Sequence, residues 1–233
     1  GEDSSSGAAY LILGATLGAT SNISLGDAQY IFLGENTSDK AASTISSAGD
    51  VDGDGLSDFL IGAQGNDDGG TDAGKVYLVL GSSLSSDSTI SLEDADYSFI
   101  GEQDGDYLGS VVAIVGDVDG DGLDDLLMTA MNGDGSWAGK VYLVLASSLG
   151  TDAEIEIGTA DYFFVGKTNG DSLGGTLIRA GDVDGDGLDD ILLSARGNDE
   201  FITDGGTGHL FRSASLSGGL EIDVDTADYT FVG

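Results

Sequence analysis

Three segments of ten residues concentrate the carboxylates of this chain at regular positions. The segment at 49–58 reads GDVDGDGLSD, and those at 116–125 and 181–190 both read GDVDGDGLDD. Counted from the first Asp, each has Asp at positions 1, 3, 5 and 9 and Gly at position 6. Alternate residues of a tight loop can direct several carboxylates at one centre, and the glycine permits a sharp turn. Each segment is therefore predicted to bind a hard divalent cation.

Calcium suits this ligand set better than magnesium, because it accepts six to eight oxygens in flexible geometry, whereas magnesium keeps its waters. The backbone carbonyl of the Leu at position 7 is the natural further ligand. We expect three Ca²⁺ sites with these ligands: Asp50, Asp52, Asp54, Leu56 and Asp58; Asp117, Asp119, Asp121, Leu123 and Asp125; Asp182, Asp184, Asp186, Leu188 and Asp190. A full ligand set favours a structural over a catalytic metal. The alternative is an Asp/Gly-rich turn that repeats without binding metal.

The acidic segments recur within a longer repeat of about 66 residues, since they begin at positions 49, 116 and 181. GKVYLVLGSSL at 74–84 returns as GKVYLVLASSL at 139–149. Each unit holds four short runs rich in Val, Ile, Leu, Tyr and Phe, bounded by turn residues, which indicates strands. Four-stranded antiparallel units in series are typical of propeller blades. We predict an all-β fold of β-propeller blades, about three and a half in this chain, with the calcium loops in hairpins.

The loops depart from an EF-hand after position 9. Ile61, Met128 and Leu193 occupy position 12, where an EF-hand has a bidentate Glu. The order Phe-x-Gly, strand, DVDGDGLxD, apolar strand and Gly-x-Val-Tyr instead resembles the FG-GAP repeat of integrin α-chain propellers and their bacterial relatives. This resemblance covers essentially the whole chain and implies that the metal loops line one face of a propeller. The GAP triplet itself is degenerate and lacks proline, reading GAQ at 62–64, TAM at 129–131 and SAR at 194–196.

The repeat divides the chain into four predicted units. Residues 1–34 supply the last two strands of a partial blade, and 35–101, 102–166 and 167–233 form blades that each contain one calcium loop. Three and a half blades do not close a ring, because propellers have about four to eight. We therefore expect a segment of a longer protein, or a protomer completed by another chain.

Composition excludes several classes of partner. The chain has 42 acidic residues against seven Lys and Arg, a net charge of −35, so nucleic acid is excluded as a partner and an anionic membrane surface is disfavoured. No apolar run reaches the roughly 18 residues of a membrane span. Cysteine is absent, which excludes disulfides and thiolate chemistry. An acidic, salt-adapted surface is an alternative explanation for part of the charge.

Few residues suggest catalysis, and we predict that the chain is not an enzyme. The one histidine, His209, aligns with Lys75 at the start of a repeated strand and is interpreted as a variable strand-edge residue. Arg179 and Arg196 are expected to pair with surplus acids near the third loop. Trp137 lies in a loop, where it serves either as an exposed contact or in local packing.

Two functions remain open. The resemblance to integrins implies a calcium-stabilised module, extracellular or at the cell surface, that acts in adhesion or binds a protein or glycan. The alternative is a structural subunit of an extracellular assembly, joined through open blade edges to further copies or to the remaining blades of its own protein. A non-catalytic propeller attached to an enzyme domain outside these residues is a third option.

Overall fold

Short β-strands and single 3-10 turns make up the regular secondary structure of the described residues, which confirms the all-β prediction. The computed structural model describes residues 6–18, 22–84, 89–132, 135–199, 205–216 and 219–233, without the side chains of 47 and 48. The first five residues of the predicted partial blade thus lie outside the described part. No helix in these ranges has the length and apolar character needed to cross a membrane.

The strands are, in chain order, β1 (Ala8–Leu11), β2 (Tyr30–Leu33), β3 (Thr44–Gly49), β4 (Asp58–Ala63), β5 (Lys75–Val79), β6 (Thr89–Ser91), β7 (Tyr97–Ile100), β8 (Leu108–Gly116), β9 (Asp125–Ala130), β10 (Lys140–Val144), β11 (Glu154–Glu156), β12 (Tyr162–Val165), β13 (Leu173–Gly181), β14 (Asp190–Ala195), β15 (Thr207–Phe211), β16 (Glu221–Asp223) and β17 (Tyr229–Val232).

Three antiparallel sheets repeat the same connectivity. The first contains β3-β4-β5-β7, the second β8-β9-β10-β12 and the third β13-β14-β15-β17, each in simple sequential order. The register is equivalent from sheet to sheet: Tyr77 lies opposite Ile61 and Ser98, and Tyr142 lies opposite Met128 and Phe163. The predicted blades of four antiparallel strands are therefore confirmed.

A short strand from the following repeat extends the outer edge of each earlier sheet, a feature the sequence patterns did not predict. β6 pairs in parallel with β2, β11 with β7, and β16 with β12. In the last two cases Ile155 lies opposite Phe99, and Ile222 lies opposite Phe164. The sheets thus cross the predicted unit boundaries, and each blade is tied to its neighbour by backbone hydrogen bonds.

The apolar core lies between neighbouring sheets. Leu60, Val76 and Phe99 of one blade form a single buried cluster with Met128 and Tyr142 of the next. Equivalent clusters join the second blade to the third and the partial blade to the first. Fully burying an aliphatic or aromatic side chain of this size contributes about 1.5–3 kcal/mol. Stability therefore depends on the contact of each blade with the next.

Glycine allows the backbones of successive blades to meet. Gly139 has φ +86°, and a Cβ there would lie 2.2 Å from the carbonyl oxygen of Leu173 in the next blade. Gly74 has the same relation to the oxygen of Leu108, also at 2.2 Å. Beside these glycines, the N–H of Leu173 donates to the carbonyl of Ala138 at 2.7 Å. The glycine of the repeated GKVY motif is thus needed for blade packing.

Candidate metal centres

The three acidic loops occupy equivalent positions at one end of the blades. They connect β3 to β4, β8 to β9 and β13 to β14, the first two strands of each sheet. Each loop is closed by a glycine–aspartate pair in the strand register, such as Gly116 opposite Asp125. The hairpins therefore bring the ends of the acidic segments together.

Carboxylates at positions 1, 3 and 9 meet in every loop. Within each group, one oxygen from each side chain lies within 4.8 Å of the others. The groups are Asp50, Asp52 and Asp58; Asp117, Asp119 and Asp125; Asp182, Asp184 and Asp190. Three of the five predicted ligands of each site are thus close together.

The predicted ligands at positions 5 and 7 lie outside these groups and stay predictions. They are Asp54, Asp121 and Asp186, with the carbonyls of Leu56, Leu123 and Leu188. At position 5, one carboxylate oxygen accepts the N–H of position 7, at 2.7 Å in the first loop, 2.8 Å in the second and 2.9 Å in the third. These bonds hold the two positions in a fixed turn.

The Asp at position 9 anchors the loop to the rest of the blade. Asp125 is fully buried, and its two oxygens accept the N–H groups of Val118 and Ala146, both at 2.8 Å. Asp58 and Asp190 make the same two bonds in their blades. The bonds join the loop to the 3-10 turn that follows the third strand. A carboxylate has about four acceptor sites, so this anchor retains capacity for a cation.

Burial disfavours the negative charge of two position 9 carboxylates, Asp58 and Asp125. Burial raises the pKa of Asp125 to about 7; the backbone hydrogen bonds oppose this rise, and the charges of Asp119 and Asp121 add to it. Burial also raises the pKa of Asp58; its two backbone hydrogen bonds oppose this rise, and the charges of Asp52 and Asp50 add to it. A divalent cation at the centre of each group would relieve the repulsion between carboxylates.

The donor set fits calcium. The groups contain only carboxylate oxygens, which hard cations prefer. Oδ1 of Asp50 is buried without a hydrogen-bond partner among the described residues, while its Oδ2 accepts the N–H of Gly55 at 3.0 Å. An unsatisfied buried oxygen on a charged group is costly, and a cation would satisfy it. When bound, the metal would supply positive charge to the cluster.

Sequence reasoning missed the Asp at position 8, which links each loop to the preceding one. Oδ2 of Asp124 accepts the N–H of Asp50 at 2.7 Å, and the N–H of Asp124 donates to the carbonyl of Asp50 at 3.1 Å. Asp189 makes the same pair of bonds with Asp117, at 3.2 and 2.8 Å. The signal was the first Asp of the LDD triplets, because the first loop has Ser57 there. The second and third loops thus each hold the first predicted ligand of the loop before them.

The predicted pairing of Arg179 is confirmed, and that of Arg196 is not found. The Arg179 guanidinium lies 2.6 Å from Asp189 and 3.9 Å from Asp124, so it bridges two acidic loops. Arg196 makes no ion pair with any residue that the structure describes. It lies at the opposite end of the blade, where β14 ends, rather than beside the third loop.

The predicted alignment of His209 is wrong by two residues. β15 pairs Thr207 with Ala195 as β5 pairs Lys75 with Ala63, so His209 is equivalent to Tyr77. The pairing of β15 with β14 fixes this alignment. The prediction instead matched the dipeptide Gly208-His209 to Gly74-Lys75 because the two are similar in sequence. His209 is 4% exposed, and its Nε2 lies 2.9 Å from Oγ1 of Thr207. It is a core residue of the third blade.

Comparisons with known proteins agree with this geometry. The FG-GAP repeat family model matches residues 42–79 and 108–144, which contain the first two acidic loops and their strands. Integrin alpha-5 of Xenopus laevis is 30% identical over 195 residues, covering 81% of this chain and 18% of the integrin. Integrin alpha-PS2 of Drosophila melanogaster is 36% identical over 106 residues, covering 42% of this chain and 7% of the integrin. The chain thus spans less than a fifth of these relatives. Two segments of this chain thus match FG-GAP repeats, and the chain has β-propeller blades and is similar in sequence to integrin α chains.

Proposed function

We propose that this chain is a calcium-stabilised FG-GAP propeller module, extracellular or at the cell surface, that mediates adhesion by binding a protein or glycan. The observation that supports it most is the recurrence of one acidic cluster, with the same anchoring bonds, in three successive blades. Its units are those expected at 1–34, 35–101, 102–166 and 167–233. FG-GAP propellers are generally not enzymes, and the proposed activity is binding.

Calcium would stabilise the module by opposing its charge. Three Ca²⁺ ions carry six positive charges against a net charge of −35. For dissociation constants of about 10⁻⁴–10⁻³ M, calcium at about 10 mM fills the sites to roughly 90% or more. Occupancy at roughly 10–100 times the dissociation constant adds about 1.4–2.7 kcal/mol per site. Asp124 and Asp189 each bond to the backbone of a predicted ligand in the preceding loop. Calcium bound in one loop would therefore also stabilise the contact between that loop and the next.

Calcium titration of the metal-free protein tests this proposal. We expect native mass spectrometry to count three Ca²⁺ per chain and calorimetry to show a rise in melting temperature of roughly 10 °C or more, since 1 kcal/mol shifts a domain of this size by about 2–4 °C. Magnesium and sodium chloride at matched ionic strength are the controls. An equal rise with sodium chloride would show general charge screening and contradict specific calcium sites.

A second candidate function, a structural subunit, is favoured by the edges of the outer sheets. β17 has no added strand on its outer edge within the described residues, and Tyr229 and Phe231 are 58% and 56% exposed. In the first repeat, Ile23 stands at the position of Ile90 in β6, yet residues 22–24 form no strand and Ile23 is 44% exposed. An exposed acceptor edge and an exposed donor segment of matching sequence therefore occur in one chain.

Light scattering across a concentration series tests this second candidate. A subunit joined through these edges would increase in mass with concentration, and Phe231→Lys or Ile23→Asp would each abolish the increase. Ile178→Asp is the matched control, because Ile178 is 47% exposed on a different strand. A constant monomer mass at all concentrations would exclude assembly through these edges.

A further inference from the structure

A cavity of about 470 Å³ opens at the end of the blades opposite the acidic loops. Three of its residues, Gln64, Met131 and Arg196, come from equivalent positions, the last residues of the degenerate GAQ, TAM and SAR triplets. Lys40 and Tyr107 also share a position, in the segments that enter two successive blades. The volume lies within the range of small-molecule sites, about 300–1,000 Å³.

The repeats keep their backbone at this cavity but change their side chains. Lys40 pairs with Asp72 at 3.7 Å in one blade, and in the next blade the equivalent residues, Tyr107 and Trp137, stack with ring centroids 5.6 Å apart. All four residues have φ between +52° and +60°, a conformation that is costly for residues other than glycine. The N–H of Tyr107 donates to the carbonyl of Asp72 at 3.1 Å and joins the two pairs. The strained backbone of these four residues, called the frame below, holds the aromatic pair in place.

The cavity is also unusual in its charge. The chain has seven basic residues against 42 acidic ones, yet Lys40 and Arg196 both line this one cavity. The other five basic residues are paired with carboxylates elsewhere. Arg196 is exposed and makes no ion pair within the described ranges, whereas the Lys40 side chain is 52% exposed and its contact with Asp72, at 3.7 Å, is long. The cavity therefore offers positive charge to an anionic group, whereas the rest of the surface is acidic and repels it.

The remaining lining residues suit a ring that bears hydroxyl groups. Trp137 is 48% exposed and is supported by Tyr107, so it offers a flat apolar surface. Beside it, the Ser110 hydroxyl lies 3.2 Å from Oε1 of Gln64, and both side chains can bond to hydroxyls. A ligand that consisted of a carboxylate alone would contact only Arg196 and Lys40 and would leave Trp137 unused. A sugar ring with an apolar face of C–H groups, hydroxyls at its edge and one carboxylate would contact Trp137, the Ser110–Gln64 pair and the two cations.

We propose that this cavity binds an acidic saccharide, with a uronate carboxylate at Arg196 and Lys40 and the sugar ring on Trp137. The inference rests on the proposed binding function and names its ligand class and surface. Calcium at the opposite end of the blades keeps the frame folded and takes no part in contacting the ligand.

Trp137 is the single tryptophan of the chain, so its fluorescence reports on the cavity directly. The probes are cellobiouronic acid, its neutral counterpart cellobiose, and a tetraglutamate peptide, each titrated into calcium-saturated protein. We expect a saturable change with cellobiouronic acid at a dissociation constant at least tenfold below that of cellobiose, because one charge-assisted hydrogen bond contributes about this factor or more. Equal or tighter binding of the peptide would overturn the saccharide assignment.

Charge-neutralising variants locate the site. Arg196→Gln and Lys40→Gln should each weaken cellobiouronic acid binding about tenfold in calorimetric titrations and leave cellobiose binding nearly unchanged. Lys167→Gln removes the same charge from a residue that pairs with Asp225 outside the cavity, and it should have little effect. Equal weakening by all three would indicate general electrostatics and overturn the proposal. Absence of any saccharide binding while calcium still raises the melting temperature would overturn this inference and leave calcium stabilisation intact.

Discussion

The two roles expected of the acidic clusters, anchoring the loop and binding calcium, can be separated by comparing Asp125→Asn with Asp119→Asn. Asp125 is fully buried and accepts two backbone N–H groups. Asp119 is exposed; its Oδ1 accepts the N–H of Asp121 at 3.1 Å, and its Oδ2 accepts only a long bond from the Ser147 hydroxyl, at 3.4 Å. Both side chains belong to the same three-carboxylate group, so both substitutions remove one predicted calcium ligand charge.

The expected magnitudes differ in metal-free protein. Asn at position 125 keeps one acceptor oxygen for two donors, so one charge-assisted bond is lost and the other becomes neutral, a cost of about 2–4 kcal/mol. Asn at position 119 keeps its single acceptor and should cost less than about 0.5 kcal/mol. In calcium, each variant additionally loses the binding contribution of that site, about 1.4–2.7 kcal/mol. The totals in calcium are therefore about 3–7 kcal/mol for Asp125→Asn and about 1.4–3.2 kcal/mol for Asp119→Asn.

Denaturant unfolding of both variants and the parent chain, with calcium and with a chelator, measures these differences. A loss for Asp119→Asn in calcium that disappears with the chelator supports a ligand role. An equal loss under both conditions would refute it, because the cost would then come from loop structure alone. If Asp125→Asn matches the parent chain with the chelator, the anchoring role is refuted.

Two further substitutions probe an ion pair within the second blade and the packing between blades. Burial alone would raise the pKa of Glu102, but hydrogen bonds from Lys140 and Tyr142 hold it below its usual value. Its contribution is therefore present above the unfolded pKa and lost as pH falls through the folded pKa. Glu102→Gln should cost about 0.5–1 kcal/mol at pH 7, since the carboxylate is partly exposed, and nothing in urea unfolding once the pH lies below the folded pKa; a pH-independent cost would contradict the ion-pair explanation. Gly139→Ala places a Cβ 2.2 Å from a backbone oxygen of the next blade and should cost more than about 4 kcal/mol. Gly170→Ala has a similar φ but no atom within 4 Å, so thermal unfolding should show only the conformational cost of about 1–2 kcal/mol; equal losses would exclude the clash as the cause.

The blades and acidic loops were predictable because their signals are local. The LLMTA run of β9 and the KVYLV run of β10 carry enough apolar and β-branched residues to indicate strands without knowledge of their partners. The Asp spacing in each loop likewise reports a turn that brings positions 1 and 3 together. Because these short patterns recur at a nearly constant interval, together they predict a series of similar blades.

The added strands were not predictable in the same way, because their partners lie in another repeat. β11 and β16 have three residues each, with one Ile between two acidic residues, which is too short for a strand signal. They become strands because the preceding blade offers an unpaired edge and a Phe opposite the Ile. Asp124 and Asp189 escaped notice for a related reason, since their hydrogen-bond partners lie 74 and 72 residues away.

The two ends of each blade differ in what the repeat preserves, and this difference bears on function. At the loop end, the position 9 anchor recurs in all three blades with the same two bonds, as Asp125 illustrates. At the other end, Lys40 with Asp72 and Tyr107 with Trp137 occupy one frame with unrelated chemistry. A metal that stabilises each blade requires the same ligands in every copy, whereas one ligand bound across several blades requires different contacts from each. The invariant end is therefore the expected place for calcium, and the variable end is the expected place for recognition.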